Sequence, residues 1–259
     1  MRRILVTGGA GFIGSNLTLA LQECFSEAAL TVVDDFRSGD FRNLNGFRAD
    51  FVTADLSRID GHALFRDNVF DGIFHEASIT DTTIHDPFLQ AHDNIEGFRR
   101  LLECASANQT PTVYASSSAT YYGPREGHKQ AAAIMIYQLY LQMKAGKRPR
   151  VFRTGERKRD FVYVKDVVAM TMAALNAPRS GVFNCGCGEP FSFNDVITEL
   201  NRALGTSLEP EYIEKPYSFY QPHTEADMTR AQPELGFAPK FPPARGIPDY
   251  VAFPEGKGI

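Results

Sequence analysis

The octapeptide TGGAGFIG, Thr7 to Gly14, constrains this chain more than any other stretch. Ahead of it, Ile4, Leu5 and Val6 form a short apolar run suited to a strand buried on both faces. Behind it, Ile13, Leu17, Leu21 and Cys24 recur at helical spacing as an amphipathic stripe. The glycines at 8, 11 and 14 therefore occupy a strand-to-helix turn. Gly8 permits the tight bend, Gly11 lets backbone approach a pyrophosphate, and Gly14 lets helix and strand pack closely. Phe12 and Ile13 open the helix, whose first N–H groups and partial positive charge suit phosphate oxygens. The pattern points to a dinucleotide site; a glycine turn that merely packs is the alternative.

The next apolar run, LTVVDDF, ends in Asp34 and Asp35. Asp34 follows Gly14 by 20 residues, where a ribose hydroxyl lies in such folds. Asp34 favours an unphosphorylated ribose, whereas Arg37 suits a 2′-phosphate, so these residues leave NAD and NADP both open. FDGIFHEAS and TPTVYASSS read as further strands, with DNIEGFRRLLECAS a helix between them. The alternation predicts an α/β fold with a Rossmann-like, doubly wound parallel sheet. Asp55 and Leu56 are placed to hold adenine, and Glu76, Ala77 and Ser78 to pass close to the cofactor. Asn94 reads as a brace for backbone near the site or as a helix-surface amide.

At 259 residues the chain allows one large domain or two modest ones. A net charge of −4 argues against a non-specific nucleic-acid surface. No apolar run approaches the roughly 18 residues of a membrane span, and MRRILVTGG is too short for a signal peptide. The four cysteines include no C-x-x-C pair and the six histidines no metal-ligand spacing. Reduced thiols, no metal, no membrane and a cytoplasmic location are expected.

ILVTGGAGFIGSN, FHEASITDTT, YASSSATYYG, YGPREGHK, KRDFVYVKDVV and the tail FYQPHTEADMT together resemble the extended short-chain dehydrogenase/reductase family of NAD-dependent epimerases and dehydratases. GPRE occurs among many of its sugar-nucleotide enzymes; REGHK followed by KRDFVYVKDV is more specific to the heptose 6-epimerase branch. The resemblance implies an isomerase that inverts C6 of an ADP-heptose-type sugar nucleotide, a lipopolysaccharide core precursor, by transient oxidation and re-reduction with bound NADP. It also implies that Ser117 and Ser118 hydrogen-bond a reacting hydroxyl and that Lys129 is an acid/base in contact with the dinucleotide. Their bland readings are turn serines and a solvated lysine. On the substrate side it implies Phe152, Arg153, Thr154, Gly155, Arg159 and Tyr220, with Ala131 and Gln138 where the family uses a serine and a histidine. Without the resemblance, the basic run around Arg157 reads equally as a solvated face.

The family places a Tyr-x-x-x-Lys helix and a parallel strand between its SSSATYYG and VYGPREGHK segments. Here the two YG sequences are fused, which implies an interval lost at residues 121–124 together with the catalytic tyrosine and lysine. Tyr140 and Lys144 keep the Tyr-x-x-x-Lys spacing, yet they match the ordinary face of the helix after GHK. The expected organisation is a truncated dinucleotide domain over 1–123 and a substrate region over 124–259, with 161–186 returning to the first. Neighbours stripped of that unit would expose apolar surface, so a homo-oligomer is expected. From SGVFNC a return strand is expected, then a helix through Val196, Leu200 and Leu204, then proline-rich irregular chain.

Overall fold

A computed structural model describes residues 3–58, 69–79, 86–116, 120–214 and 222–253, with backbone alone at 130–132. Ser117, Ser118 and Tyr220 lie outside the described residues. The chain divides between Ser116 and Ser117 into two compact units. That break lies ahead of residue 123, and residues 161–186 fall within the second unit.

In the first unit, β1 (Arg3–Thr7), β2 (Ala29–Asp34), β3 (Asp50–Thr53), β4 (Gly72–His75) and β5 (Thr112–Tyr114) form one sheet in the order β3-β2-β1-β4-β5. Every pairing is parallel, with Val6 opposite Val32 on one side and Phe74 on the other. Ile4, Leu5 and Val6 are fully buried, as a strand covered on both faces requires. α1 (Phe12–Cys24) contributes the buried Leu17 and Leu21. A separate cluster joins Leu5, Val33 and Ile73 to Leu101, Cys104 and Ala105. The last three lie on α3 (Gly97–Ala107), which continues from α2 (Pro87–Ala91) through a π turn over His92–Glu96. β5 ends the sheet, and Tyr114 at its close is 44 % exposed while stacking on Phe98 at 4.5 Å.

In the second unit, β6 (Thr120–Tyr122) pairs in parallel with β9 (Phe161–Tyr163). A short 3₁₀ segment (Gly127–Ala132) leads to α4 (Met135–Lys144), followed by β7 (Arg150–Phe152) and β8 (Lys158–Arg159). α5 (Val164–Ala174) follows β9 directly. β10 (Phe191–Ser192) enters α6 (Phe193–Leu204), which Ser192 and Asp195 cap reciprocally and Gly205 closes in left-handed backbone. Its Val196, Ile197 and Leu200 bury against Ile136, Leu139 and Met143 of α4 and against Ile247 and Tyr250 of α8 (Pro243–Val251). No described helix is long and apolar enough to cross a membrane.

Two expectations need correction. Residues 181–187 form no strand, and Val182 is 83 % exposed; among the described residues no strand lies beside them to complete a ladder. The chain beyond Gly205 is not irregular throughout. It supplies β11 (Glu211–Ile213) parallel to β7, then α7 (Ala231–Leu235) and α8. Pro243 misled that reading: at a first helical turn proline's missing N–H costs nothing and its φ is already helical.

Candidate functional site

The strand ends of the first unit line an open cleft. Gly8 (φ 69°) donates to the Val33 carbonyl at 2.8 Å, and its own carbonyl receives the Gly11 amide at 3.1 Å. A Cβ on Gly8 would stand 2.6 Å from the Ala77 nitrogen, and one on Gly14 would run into the Gly8 carbonyl. The turn is thus pressed against both the β4 exit and its own helix. Gly11 caps α1 without a side chain, so no side chain occupies its first-turn N–H groups. Phe12 is buried and Ile13 half-buried in that turn. The glycines hold this tight path, since a Cβ at Gly8 or Gly14 would strike backbone, and the uncapped helix start that follows fits a pyrophosphate.

Asp34 ties the cleft's second wall to the glycine turn. One carboxylate oxygen accepts the Ala10 amide and the other the Phe36 amide, both at 2.8 Å. Burial raises its pKa, and the amides of Phe36 and Ala10 oppose the rise. Its first task is therefore bracing; spare lone pairs remain for a ribose hydroxyl. Arg37 extends across to three acids. Its Nε donates to Asp35 at 2.7 Å, its Nη2 meets Asp55 at 3.0 Å, and its Nη1 bonds Asp93. Burial lowers the guanidinium pKa, yet the hydrogen bonds to Asp93 and Asp35 outweigh it and the pKa is raised. Asp93, opposed by burial but bonded by His92 and Arg37, is held below the usual carboxylate range.

Asp55 also accepts the Ser57 hydroxyl at 2.7 Å, and Leu56 lines the same wall. Asn94 holds Ile79 from both sides, receiving its amide at 2.7 Å and donating to its carbonyl at 3.2 Å. Ser78 donates to the same amide oxygen at 3.2 Å. Glu76 differs from these partnered groups: its buried Oε1 has no hydrogen-bond partner, and burial pushes the carboxyl up to about 8. A dinucleotide fits here too, because it brings hydroxyl and amide donors to an orphaned acceptor.

The lining residues that sequence reasoning did not single out include His75, Asp93 and Ser57. His75 is buried, shares a 2.7 Å hydrogen bond with Thr7, and is kept neutral by burial, its pKa pulled to about 4. Asp93 and Ser57 complete the Arg37 network. The only signal for Asp93 was its place next to Asn94; the π turn that carries both is invisible in a residue pattern.

The remaining candidates lie in the second unit. Phe152 closes β7 and, with Met135, Val151, Arg157 and Phe193, lines a narrow crevice. The Arg153 amide (φ 55°) donates to the Ile213 carbonyl at 2.9 Å, and the Gly155 amide (φ 72°) to the Phe152 carbonyl at 3.2 Å. Asn194 donates to the Thr154 carbonyl at 2.9 Å. Arg159 is 8 % exposed and donates to the Lys158 carbonyl at 2.7 Å. Ala131 belongs to the 3₁₀ segment and Gln138 to α4. Tyr140 packs on Tyr250 with ring centroids 5.5 Å apart, and the Lys144 ammonium stands 5.5 Å from the Tyr140 ring.

With this geometry in place, comparison with known proteins gives a family. The pattern of the NAD dependent epimerase/dehydratase family matches residues 4–128 and again 119–186. The chain belongs to that family. The solved ADP-L-glycero-D-manno-heptose-6-epimerase of Helicobacter pylori is similar at 32% identity, over 96% of this chain and 95% of that one, with a TM-score of 0.90. UDP-glucose 4-epimerase of Thermotoga maritima, solved with UDP-glucose, is 25% identical over 97% and 98%, with a TM-score of 0.88. UDP-glucose 4-epimerase of Thermus thermophilus, solved with NAD, shares the fold at 22% identity over 96% and 97%, with a TM-score of 0.80. Family membership accounts for the nucleotide-binding pattern of the first unit, and several epimerases share the architecture.

Proposed function

We propose that this member of the epimerase/dehydratase family binds NAD in the cleft of its first unit. We place it in the ADP-heptose 6-epimerase lineage, with turnover impaired for want of the Tyr-x-x-x-Lys helix. The observation that carries the binding reading is the cradle of Gly8 and Gly14 leading to an uncapped helix start. NAD is favoured over NADP by the Arg37 network. A guanidinium already paired with Asp35, Asp55 and Asp93 has no open fork for a 2′-phosphate, and those three carboxylates would repel one.

When bound, a nicotinamide supplies a place for hydride to go and return. Gly8, Gly11, Phe12, Ile13 and Gly14 would hold the pyrophosphate, Asp34 and Asp35 the ribose, and Asp55 and Leu56 the adenine. Glu76, Ala77, Ser78 and Asn94 would shape the wall beyond. For the sugar, Ser117 and Ser118 would hydrogen-bond the reacting hydroxyl, and Lys129 would move its proton. Phe152, Arg153, Thr154, Gly155, Arg159 and Tyr220 would grip the nucleotide part of an ADP-heptose-type substrate. Ala131 and Gln138 remove side chains that would select the sugar. Tyr140 and Lys144 belong to the packing of α4, not to catalysis.

Three observations support a lost interval. The two family matches overlap at residues 119–128, as they would if one segment stood for two successive ones. β5 has no further strand on its outer side among the described residues. Residues 181–187, expected to return to a sheet, find no neighbouring strand among the described residues. The same loss favours a second reading, a module that binds the dinucleotide without turnover. Titration with NAD, followed by incubation of the same sample with ADP-heptose, separates the two: binding with slow product means an impaired enzyme, and binding with none means a module.

A further inference from the structure

The loop from Arg153 to Arg157, between β7 and β8, bends twice into left-handed backbone. Arg153 adopts φ 55°, a strained choice for a side-chain-bearing residue, and Gly155 adopts φ 72°. Two main-chain bonds frame the loop: the Arg153 amide to the Ile213 carbonyl of β11, and the Gly155 amide to the Phe152 carbonyl. Backbone held in such a conformation persists where its surroundings over-determine it, and ligand clamps are among the places where that happens.

Here the surroundings converge on Asn194, the second residue of α6. The reciprocal cap of Ser192 and Asp195 fixes the helix start and with it the place of Asn194. The Asn194 side-chain amide donates to the Thr154 carbonyl at 2.9 Å and to Glu156 Oε1 at 2.6 Å. Its main-chain amide donates to the Gly155 carbonyl at 3.3 Å. From β11, the Tyr212 hydroxyl donates to Asn194 Oδ1 at 3.4 Å. A Cβ on Gly155 would stand 2.2 Å from that same Oδ1, so only glycine admits the amide this close. Three successive loop residues are thus tied to one asparagine. On either side of them, Phe152 and Arg157 line the crevice, and Phe193, the neighbour of Asn194, lines it too.

We propose that Asn194 is a positioning residue for nucleotide binding in the second unit. By tying Thr154, Gly155 and Glu156 to the start of α6, it sets how Phe152 and Arg157 face each other across the crevice. The role rests on the reading of Phe152–Gly155 as the grip on the ADP part of the substrate. Asn194 acts through the loop, and the 40 residues between it and Thr154 hide the link from any local motif.

The test is calorimetric titration of the full-length chain with ADP, after NAD has saturated the first unit, together with amide hydrogen exchange. The native chain is expected to bind ADP. Asn194→Ala is expected to weaken that binding about tenfold and to speed exchange at the Gly155 amide by a similar factor. Asn194→Asp keeps the shape but loses the side-chain donor; it is expected to behave alike and is read if the alanine variant does not fold. Asn201→Ala controls for loss of stability alone. Asn201 clamps the far end of α6, donating to the Leu208 carbonyl at 3.0 Å and accepting the Thr206 hydroxyl and Leu208 amide at 2.8 Å. Its loss is expected to lower the melting temperature and leave ADP affinity unchanged. Native ADP affinity in a folded Asn194 variant, or an equal loss in Asn201→Ala, would overturn the positioning role alone. A native chain that binds no ADP would overturn the reading of the grip, and the role of Asn194 with it.

Discussion

The cleft of the first unit and the Gly123–Lys129 turn of the second both hold buried acids, but supply them differently. In the cleft Asp34 accepts two amides, and Asp35, Asp55 and Asp93 share one guanidinium. Among the described acids there, Glu76 alone has an orphaned oxygen. In the turn neither oxygen of Glu126 nor the Tyr122 hydroxyl is satisfied. One region pairs most of its acids within the fold; the other buries an acid that no hydrogen bond of good geometry reaches. Substitutions in one region should therefore leave the other's readout in place.

The largest effect is expected at the glycine turn. Gly14→Ala drives a methyl into the Gly8 carbonyl and should weaken NAD binding about 100-fold, or about 2.7 kcal/mol. Near-native affinity by calorimetry would show that the cradle is not the binding element.

A smaller effect is expected in the Arg37 network. Asp55→Asn combined with Asp93→Asn removes two repelling charges and frees the guanidinium. The ratio of NAD to NADP affinity should move about tenfold toward NADP. An unchanged ratio would remove Arg37 from cofactor selection.

The pH dependence should differ by degree. Glu76 and Glu126 both rise from an ordinary value of 4.5 to about 8, so the folded chain holds protons the unfolded chain gives up. Stability should therefore fall as pH climbs from about 4.5 through 8. NAD affinity should fall over the upper part of that range, as ionised Glu76 adds a negative charge to the cleft wall. Glu76→Gln should flatten the binding profile and part of the stability slope; Glu126→Gln should flatten stability alone. A binding profile unaltered in Glu76→Gln would contradict the role of that carboxyl. The smallest readout is size: sedimentation should give an oligomer of identical chains, and a monodisperse monomer would show that the apolar surface is covered otherwise.

The first unit was largely legible because its signals are local. Ile4 to Val6, the glycines and the stripe from Leu17 to Leu21 each specify strand, turn and helix within a few residues. Asp34 was legible as a position, but its bracing of Ala10 depends on a contact across 24 residues. The Asp93–Arg37 pair spans 56 residues and a π turn, and no spacing rule reaches that far. In the second unit, Val182 and Phe183 carry strand propensity without a partner strand among the described residues, so propensity failed where tertiary pairing decides. Arg125, next to the buried Glu126, takes left-handed backbone, which sequence gives no reason to expect.

The most direct measurement is a paired assay on one purified preparation: calorimetric titration with NAD, then stereochemical analysis of ADP-heptose incubated with the saturated protein. Saturable, near-stoichiometric binding is expected, with C6 inversion slow or undetectable. Rapid inversion, retained in Tyr140→Phe, would show that reversible oxidation proceeds here without the family's tyrosine and would contradict it.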